Sequence, residues 1–287
     1  MTIQVTSGNS AILQSQVAQL LVQPLLQAST FLAAGPTVLE SASPVRIPRI
    51  ASGVSAGFVA EAAQISDGSI TLDEIDLMPS TLKSLKVLVR VSNEMVRQSV
   101  VGLETVFQNT LVTDVATALD AALWSGSGSS NTVKGILNQS GVATGDLDIT
   151  DIDSLIDGIA TAMANKVAPT HWAMTSATFN AFRKIKVGTS DARYVFDPST
   201  VQNGTAFQLL GLPVLVTDNV PDAAADRPQV ALVDFSKVVV VRDIDASVAI
   251  LDQTWGDYDS VGIRVVSRWD VGLLQPHAVT LLTTPAS

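Results

Sequence analysis

The 287-residue chain contains no cysteine, which excludes disulfide staples, thiolate metal sites and cysteine nucleophiles. Charge is scarce as well: Asp, Glu, Lys and Arg make up 15% of the residues, against about 25% in ordinary soluble domains. What charge there is leans one way, 17 basic against 27 acidic residues for a net −10. With no basic tail, that balance argues against a protein that tracks nucleic-acid sequence. No Lys or Arg precedes Arg46, so a secretory signal has no basic region to start from. The greasiest stretch, Ala18 to Leu39, is broken by Gln19, Gln23, Pro24, Gln27, Ser29, Gly35 and Pro36, which makes it a poor membrane-spanning helix. Apolar residues, by contrast, reach 47%. The chain is long enough to bury a large core, yet too poor in charge to cover a free monomer comfortably. Much of its surface is expected to meet other protein.

The pattern along the chain predicts an α+β protein. Residues 1–50 read as an arm without a core of its own, with one helix around Ser10–Val22. From Val45 to Val91 the apolar residues are β-branched and often alternate, which predicts two long strands flanking a projecting loop. The segment Gly57–Leu82 carries Glu61, Asp67, Asp73, Glu74 and Asp76 and no base, and Lys83, Lys86, Arg90 and Arg97 follow it. This acid-then-base blocking suits a loop that docks on a neighbouring copy, so these nine residues are the candidate contacts between subunits. A solvated hairpin would show the same pattern.

Ser92 is placed to cap a short helix, interrupted near Gly102. Leu103, Phe107, Leu111, Val115, Leu119 and Leu123 then recur in steps of four, predicting one long amphipathic helix that stops at Gly126-Ser127-Gly128. A second helix is expected from Thr150, burying Ile152, Leu155, Ile156, Ile159 and Met163. A strand at His171–Met174, a helix from Ser176 to Lys186 and a loop from Gly188 to Asn203 follow. The remainder reads as strands: Leu212–Val216, Val230–Val233, Val238–Val241, Val248–Leu251, Ile263–Val266 and Ala278–Leu282.

Chemistry is nearly absent from this pattern. Gly53-Val54-Ser55-Ala56-Gly57 matches the G-x-S-x-G elbow of serine hydrolases, and Asp270 and His277 follow in a suitable order. Neither the helix behind the elbow nor the strands before it are present, so a bend of small residues is the better reading of Ser55. Asp146, Asp148, Asp151 and Asp153 lack the central Gly and closing Glu of a calcium loop, and suit a helix start. His171 and His277 are too far apart in sequence to propose a zinc site. No catalytic, cofactor or metal residue is assigned.

The order of segments resembles major capsid proteins of tailed bacteriophages with the HK97 fold. The residues that carry the resemblance are Val91-Ser92-Asn93-Glu94, Leu123-Trp124-Ser125-Gly126-Ser127-Gly128 with Gly135-Ile136, Pro169-Thr170-His171-Trp172-Ala173-Met174, Leu209-Leu210-Gly211-Leu212-Pro213-Val214, Asp234-Phe235-Ser236, and Arg264, Arg268 and Pro276-His277-Ala278. The resemblance implies an arm over 1–50, an extended loop over 51–88, a peripheral domain over 89–145 and 255–287, and an axial domain over 146–254. It implies a non-enzymatic protein that self-assembles into pentamers and hexamers of an icosahedral head around double-stranded DNA, which it touches nonspecifically if at all. Assembly would take place in the host bacterial cytoplasm, with a portal protein as partner and no membrane.

Some members of that family crosslink subunits through a Lys on the extended loop, an Asn on the closing strand and a nearby Glu. Here the loop has no Lys, Asp259 stands at the Asn position and Val266 at the Glu position, so the shell is expected to be noncovalent. Fifty residues before the core leave no room for a large fused scaffolding segment, so a separate scaffolding protein or none is expected. An encapsulin-type nanocompartment shares the fold and is the nearest alternative; a serine hydrolase using Ser55 is the alternative of another class.

Overall fold

The computed structural model describes residues 29–52, 58, 71–78, 84–92, 94, 103–129, 131–188, 191–196, 207–243 and 247–286. In chain order its principal elements begin with α1 (Thr30–Ala33), β1 (Thr37–Glu40), β2 (Val45–Ser52), β3 (Thr71–Leu77), β4 (Leu85–Ser92) and the long α2 (Leu103–Ser125). The middle holds β5 (Ala143–Asp146), α3 (Asp153–Ala164), β6 (His171–Met174), α4 (Ser176–Arg183), β7 (Lys186–Gly188), β8 (Asp191–Tyr194), β9 (Gln208–Leu209) and β10 (Leu212–Val216). The chain closes with β11 (Gln229–Val233), β12 (Val238–Arg242), β13 (Ser247–Trp255), β14 (Ser260–Ser267), β15 (Trp269–Leu273) and β16 (Val279–Thr283). The expected helix at Ser10–Val22, Ser55 with its glycines, and Glu61, Asp67, Lys83 and Arg97 lie outside the described residues.

The centre is a six-stranded sheet in the order β5-β16-β11-β6-β10-β9. It is mixed: β6 runs parallel to β10 and β5 parallel to β16, while the other neighbours are antiparallel. At its middle, Val230–Val233 of β11 and Trp172–Met174 of β6 are apolar without interruption because both faces are covered. Ala173, Ala231, Val233 and Val279 face the core built on α2, whereas Trp172, Met174, Val230, Leu232 and Leu282 face the core of α3 and α4. The sheet also unites strands from both the 146–254 and the 255–287 segments. Leu210 and Gly211, at φ 50° and 79°, form the two-residue turn between β9 and β10, a conformation that glycine takes without strain.

A second sheet, β1-β12-β15, repeats the logic. In the run Val238–Val241, Val238 and Val240 enter the α2 core, and Val239 and Val241 pack under the β2–β3 hairpin. Between these layers Phe31, Trp124 and Phe235 meet edge to face, with centroids 5.1, 5.5 and 6.0 Å apart. Residues 29–40 are therefore tied to the chain's own fold: Phe31 is fully buried in the core, and β1, itself exposed, adds a parallel strand to β12.

Several local expectations change. The two strands expected across Val45–Val91 are three: β2 pairs with β3, and β4 joins β14 in a separate sheet. α3 begins at Asp153, because the Asp148 carboxylate accepts bonds from the Thr150 amide and hydroxyl at 2.8 and 2.6 Å and holds that turn out of the helix. Its buried side is Leu155, Gly158 and Ala162, and Ile156 and Met163 are exposed. α4 ends at Arg183, and part of the expected loop after Gly188 is strand β8, paired with β7. Strands β1, β5 and β15 were not anticipated. α2 does bury Val115, Leu119 and Leu123, together with Ala116, Trp124 and, unexpectedly, Asp120.

Candidate assembly surfaces

Three surfaces stand out among the described residues. The first is the β2–β3 hairpin. Its base is seated: Leu77 and Met78 are buried against Val239 and Val241, and the Met78 amide donates to Asp270 Oδ2 at 2.8 Å. Gly272 permits this seating, since a Cβ there would stand 2.7 Å from a Leu77 methyl and 3.1 Å from Ile75. Further along, the hairpin carries ion pairs. Arg46 pairs with Asp76 at 3.1 Å and Glu74 at 3.4 Å, and Arg49 Nε donates to Asp73 at 2.8 Å. The hydrogen bond from Arg49, helped by the Glu74 amide, holds the Asp73 carboxyl below its ordinary range. Three of the five loop acids thus find bases on the preceding strand, which sequence spacing did not indicate.

The second surface is the outer face of the sheet β13-β14-β4. Lys86 and Arg90, two of the expected contact residues, are exposed there beside Arg264. The opposite face carries Leu85 and Val87 onto the α2 core. The third is an apolar rim on the α3–α4 lobe, where Ile156, Met163, Val187, Tyr194 and Phe207 are exposed. No helix among the described residues is long and apolar enough to cross a membrane.

The sequence matches the phage capsid family model over residues 9–284. The chain belongs to the phage capsid family. The capsid of a native GTA particle is similar in fold, with TM-score 0.73 and 23% identity over 90% of this chain and 91% of that one. A chain of Mycobacterium phage Adephagia gives 0.69 at 18% identity and one of Microbacterium phage Oxtober96 gives 0.70 at 15%, each over 90% of this chain and 91% of its own. No curated protein matches the sequence. This capsid protein is a structural component of a phage capsid, and its mixed α+β fold is that of the capsid structures it resembles.

Of the remaining chemical candidates, Asp270, Asp148, Asp151 and His171 make structural contacts in the capsid protein. Asp270 holds the Met78 amide, and His277 is exposed with no hydrogen-bond or ion-pair partner among the described residues. Asp148 and Asp151 accept amide bonds in the turn before α3, and no group of three ligating side chains is found among the described residues. His171 stacks edge to face on Phe235 at 5.3 Å with Nδ1 3.0 Å from Thr170 Oγ1. Burial pushes its imidazole below the ordinary value of 6.5. The unfolded chain therefore takes up the proton first, so this contribution to stability is complete above pH 6.5 and is lost as pH falls through the lower folded value. Acidification from about pH 7 to about pH 5.5 is expected to lower the melting temperature of wild type more than that of His171→Asn. Equal slopes would mean that another group titrates.

Proposed function

We propose that this capsid protein self-assembles through pentamers and hexamers into an icosahedral phage head that encloses double-stranded DNA, and that noncovalent contacts hold the shell. The observation that carries the reading is the family match along nearly the whole chain. The surfaces fit it: an apolar rim on the α3–α4 lobe favours packing of that lobe on its neighbours, and the hairpin seated through Leu77 and Met78 offers the exposed Arg46, Asp73, Glu74 and Asp76 to another subunit. A wall with a net charge of −10 also favours a container that does not hold on to its packed DNA.

The test is expression of the chain alone, followed by light scattering and electron microscopy. Closed particles, or rings of five and six, are the expected result, and rings without shells would call for a separate scaffolding protein. A stable monomer across concentration and salt would overturn the reading. Boiled in detergent, assembled particles should release a single 30.0 kDa band. A ladder of multiples would show covalent links despite the absence of Lys between Gly57 and Leu82.

A further inference from the structure

The α3–α4 lobe is oppositely charged at its two edges. Between Lys134 and Lys166 the chain has no base, and its five acids there are Asp146, Asp148, Asp151, Asp153 and Asp157. All five are exposed, and none pairs with a base among the described residues. Further on, Arg183, Lys184, Lys186 and Arg193 stand close together in sequence with a single acid, Asp191. Lys184 and Lys186 are exposed and meet no carboxylate among the described residues. Each block alone suits a helix end, acids at the start of α3 and bases at the close of α4. Their placement across the sheet does not follow from that.

Topology sets the two blocks on opposite edges of the six-stranded sheet. Asp146 ends the edge strand β5, and α3 lies so close over the next strand that a Cβ at Gly158 would stand 2.8 Å from Leu282. At the other edge Phe207 leads into β9 and meets Phe179 of α4 at 5.1 Å, and the Arg183 guanidinium lies 5.6 Å from the Phe179 centroid. Lys186 stands opposite Tyr194 in the β7–β8 pair that follows. Five strand spacings of about 4.8 Å put about 24 Å between the edges. Both edges also carry exposed apolar side chains. Ile156 and Met163 accompany Asp153 and Asp157 on the exposed side of α3, and Val187, Tyr194 and Phe207 accompany the bases.

We propose that the acidic edge of one copy docks on the basic edge of a second copy, Asp153 and Asp157 against Lys184 and Lys186, with Ile156 and Met163 packing on Val187, Tyr194 and Phe207. The inference rests on the shell reading above and names a contact that joins copies side by side within its rings. Charge and apolar area both select the occupant, because each edge offers what the other lacks and matches the other's exposed apolar set. A two-fold contact through either edge alone sets like charges against each other. Joining unlike edges leaves one of each kind free, so copies add head to tail, and such a contact closes into a ring when the rotation between copies allows. A phosphate backbone fits less well, since it leaves the acidic edge and both apolar sets unaccounted for.

The test uses two full-chain variants. Asp153→Lys with Asp157→Lys puts bases on both docking surfaces, and Lys184→Glu with Lys186→Glu puts acids on both. The four side chains are exposed and make no hydrogen bond or ion pair among the described residues, so both variants are expected to fold, which circular dichroism checks. Each alone is expected to assemble about tenfold less than wild type or worse, by light scattering. Mixed in equal amounts they should recover, because unlike copies then alternate. Alternation suits rings of six and is impossible in rings of five. Electron microscopy of the mixture is therefore expected to show hexamers, and sheets or tubes built from them, without closed heads.

Variants that assemble like wild type, a mixture that stays unassembled, or one that stops at dimers would overturn the proposal. Variants that assemble normally but lose copurified nucleic acid would overturn it in favour of phosphate on the basic edge. If either variant misfolds, wild-type particles of mixed light and nitrogen-15 chains decide the matter after treatment with a zero-length carbodiimide. Amides from Lys184 or Lys186 to Asp153 or Asp157 that join light to heavy chains support the contact, and their absence overturns it. A wild-type chain that stays monomeric takes down the shell reading itself, whereas wild type and variants that all assemble remove only this contact.

Discussion

Gly135→Ala is expected to lower stability by about 4 kcal/mol, and the melting temperature by something on the order of 10 °C, measured by circular dichroism on the unassembled chain. A Cβ at Gly135 would stand 2.4 Å from the Trp124 carbonyl oxygen and 2.6 Å from the Gly126 nitrogen, so backbone rather than a side chain must give way. That backbone closes the end of α2. The Gly135 amide donates to Gly126 O at 2.9 Å, and Asn138 Nδ2 donates to the carbonyls of Ser125 and Gly126 at 2.9 and 3.1 Å. Carbonyls at a helix end that would otherwise be orphaned are thus satisfied. Opening the clamp would also pull Trp124 away from Phe31 and Phe235. Gly128→Ala is the control. Gly128 has φ 72°, and its added Cβ would stand 2.9 Å from Lys134 Cβ and 3.1 Å from Lys134 Cγ, with no backbone atom closer than 3.5 Å, so a smaller cost of about 1–2 kcal/mol is expected. If the two variants melt together, backbone contact at Gly135 is not what holds the turn.

Asp120→Ala is expected to cost about 3 kcal/mol and to release residues 29–40 to proteolysis and amide exchange. Asp120 is 3% exposed, yet it faces a full set of donors. Ser29 Oγ donates to one oxygen, and the Thr30 amide and hydroxyl donate to the other at 2.8 and 2.7 Å. Ser29 also caps α1, accepting from the Leu32 amide at 3.1 Å. Alanine leaves the buried Ser29 hydroxyl without this acceptor and removes both bonds from Thr30, and the unmet buried donor costs more than its hydrogen bond was worth. Phe31→Ala should give the same pattern of exchange, with about 3 to 5 kcal/mol lost, because it empties the site that the Asp120 contacts hold Phe31 over. A protected segment 29–40 in Asp120→Ala would show that aromatic packing alone retains it.

The sequence by itself determined the elements whose signal is local. The four-residue spacing of Val115, Leu119 and Leu123 reports a helix because those positions recur on one side of it, and Gly126 marks its stop. The strands at His171–Met174, Leu212–Val216 and Val238–Arg242 were legible as short apolar runs, and the ordered motifs were enough to point to the capsid family.

Only the tertiary structure decided which strand meets which. β2, β3 and β4 have similar apolar alternation, and β4 turns away from the hairpin to pair with β14, remote in sequence. Of the contact residues read from charge blocks, Lys86 and Arg90 share a face, whereas Asp73, Glu74 and Asp76 are occupied within their own hairpin. Arg264 and Tyr258 join the basic face only through that pairing and its turn. Asp120 escaped notice because its donors lie 90 and 91 residues away and nothing nearby in sequence announces them. α3 shows the reason most plainly. Counting large apolar residues put Ile156 and Met163 inside, but the helix approaches the sheet so closely that a Cβ at Gly158 would stand 2.8 Å from Leu282. Periodicity reports that a helix has an apolar side; how near its neighbour comes decides which residues are small enough to face it.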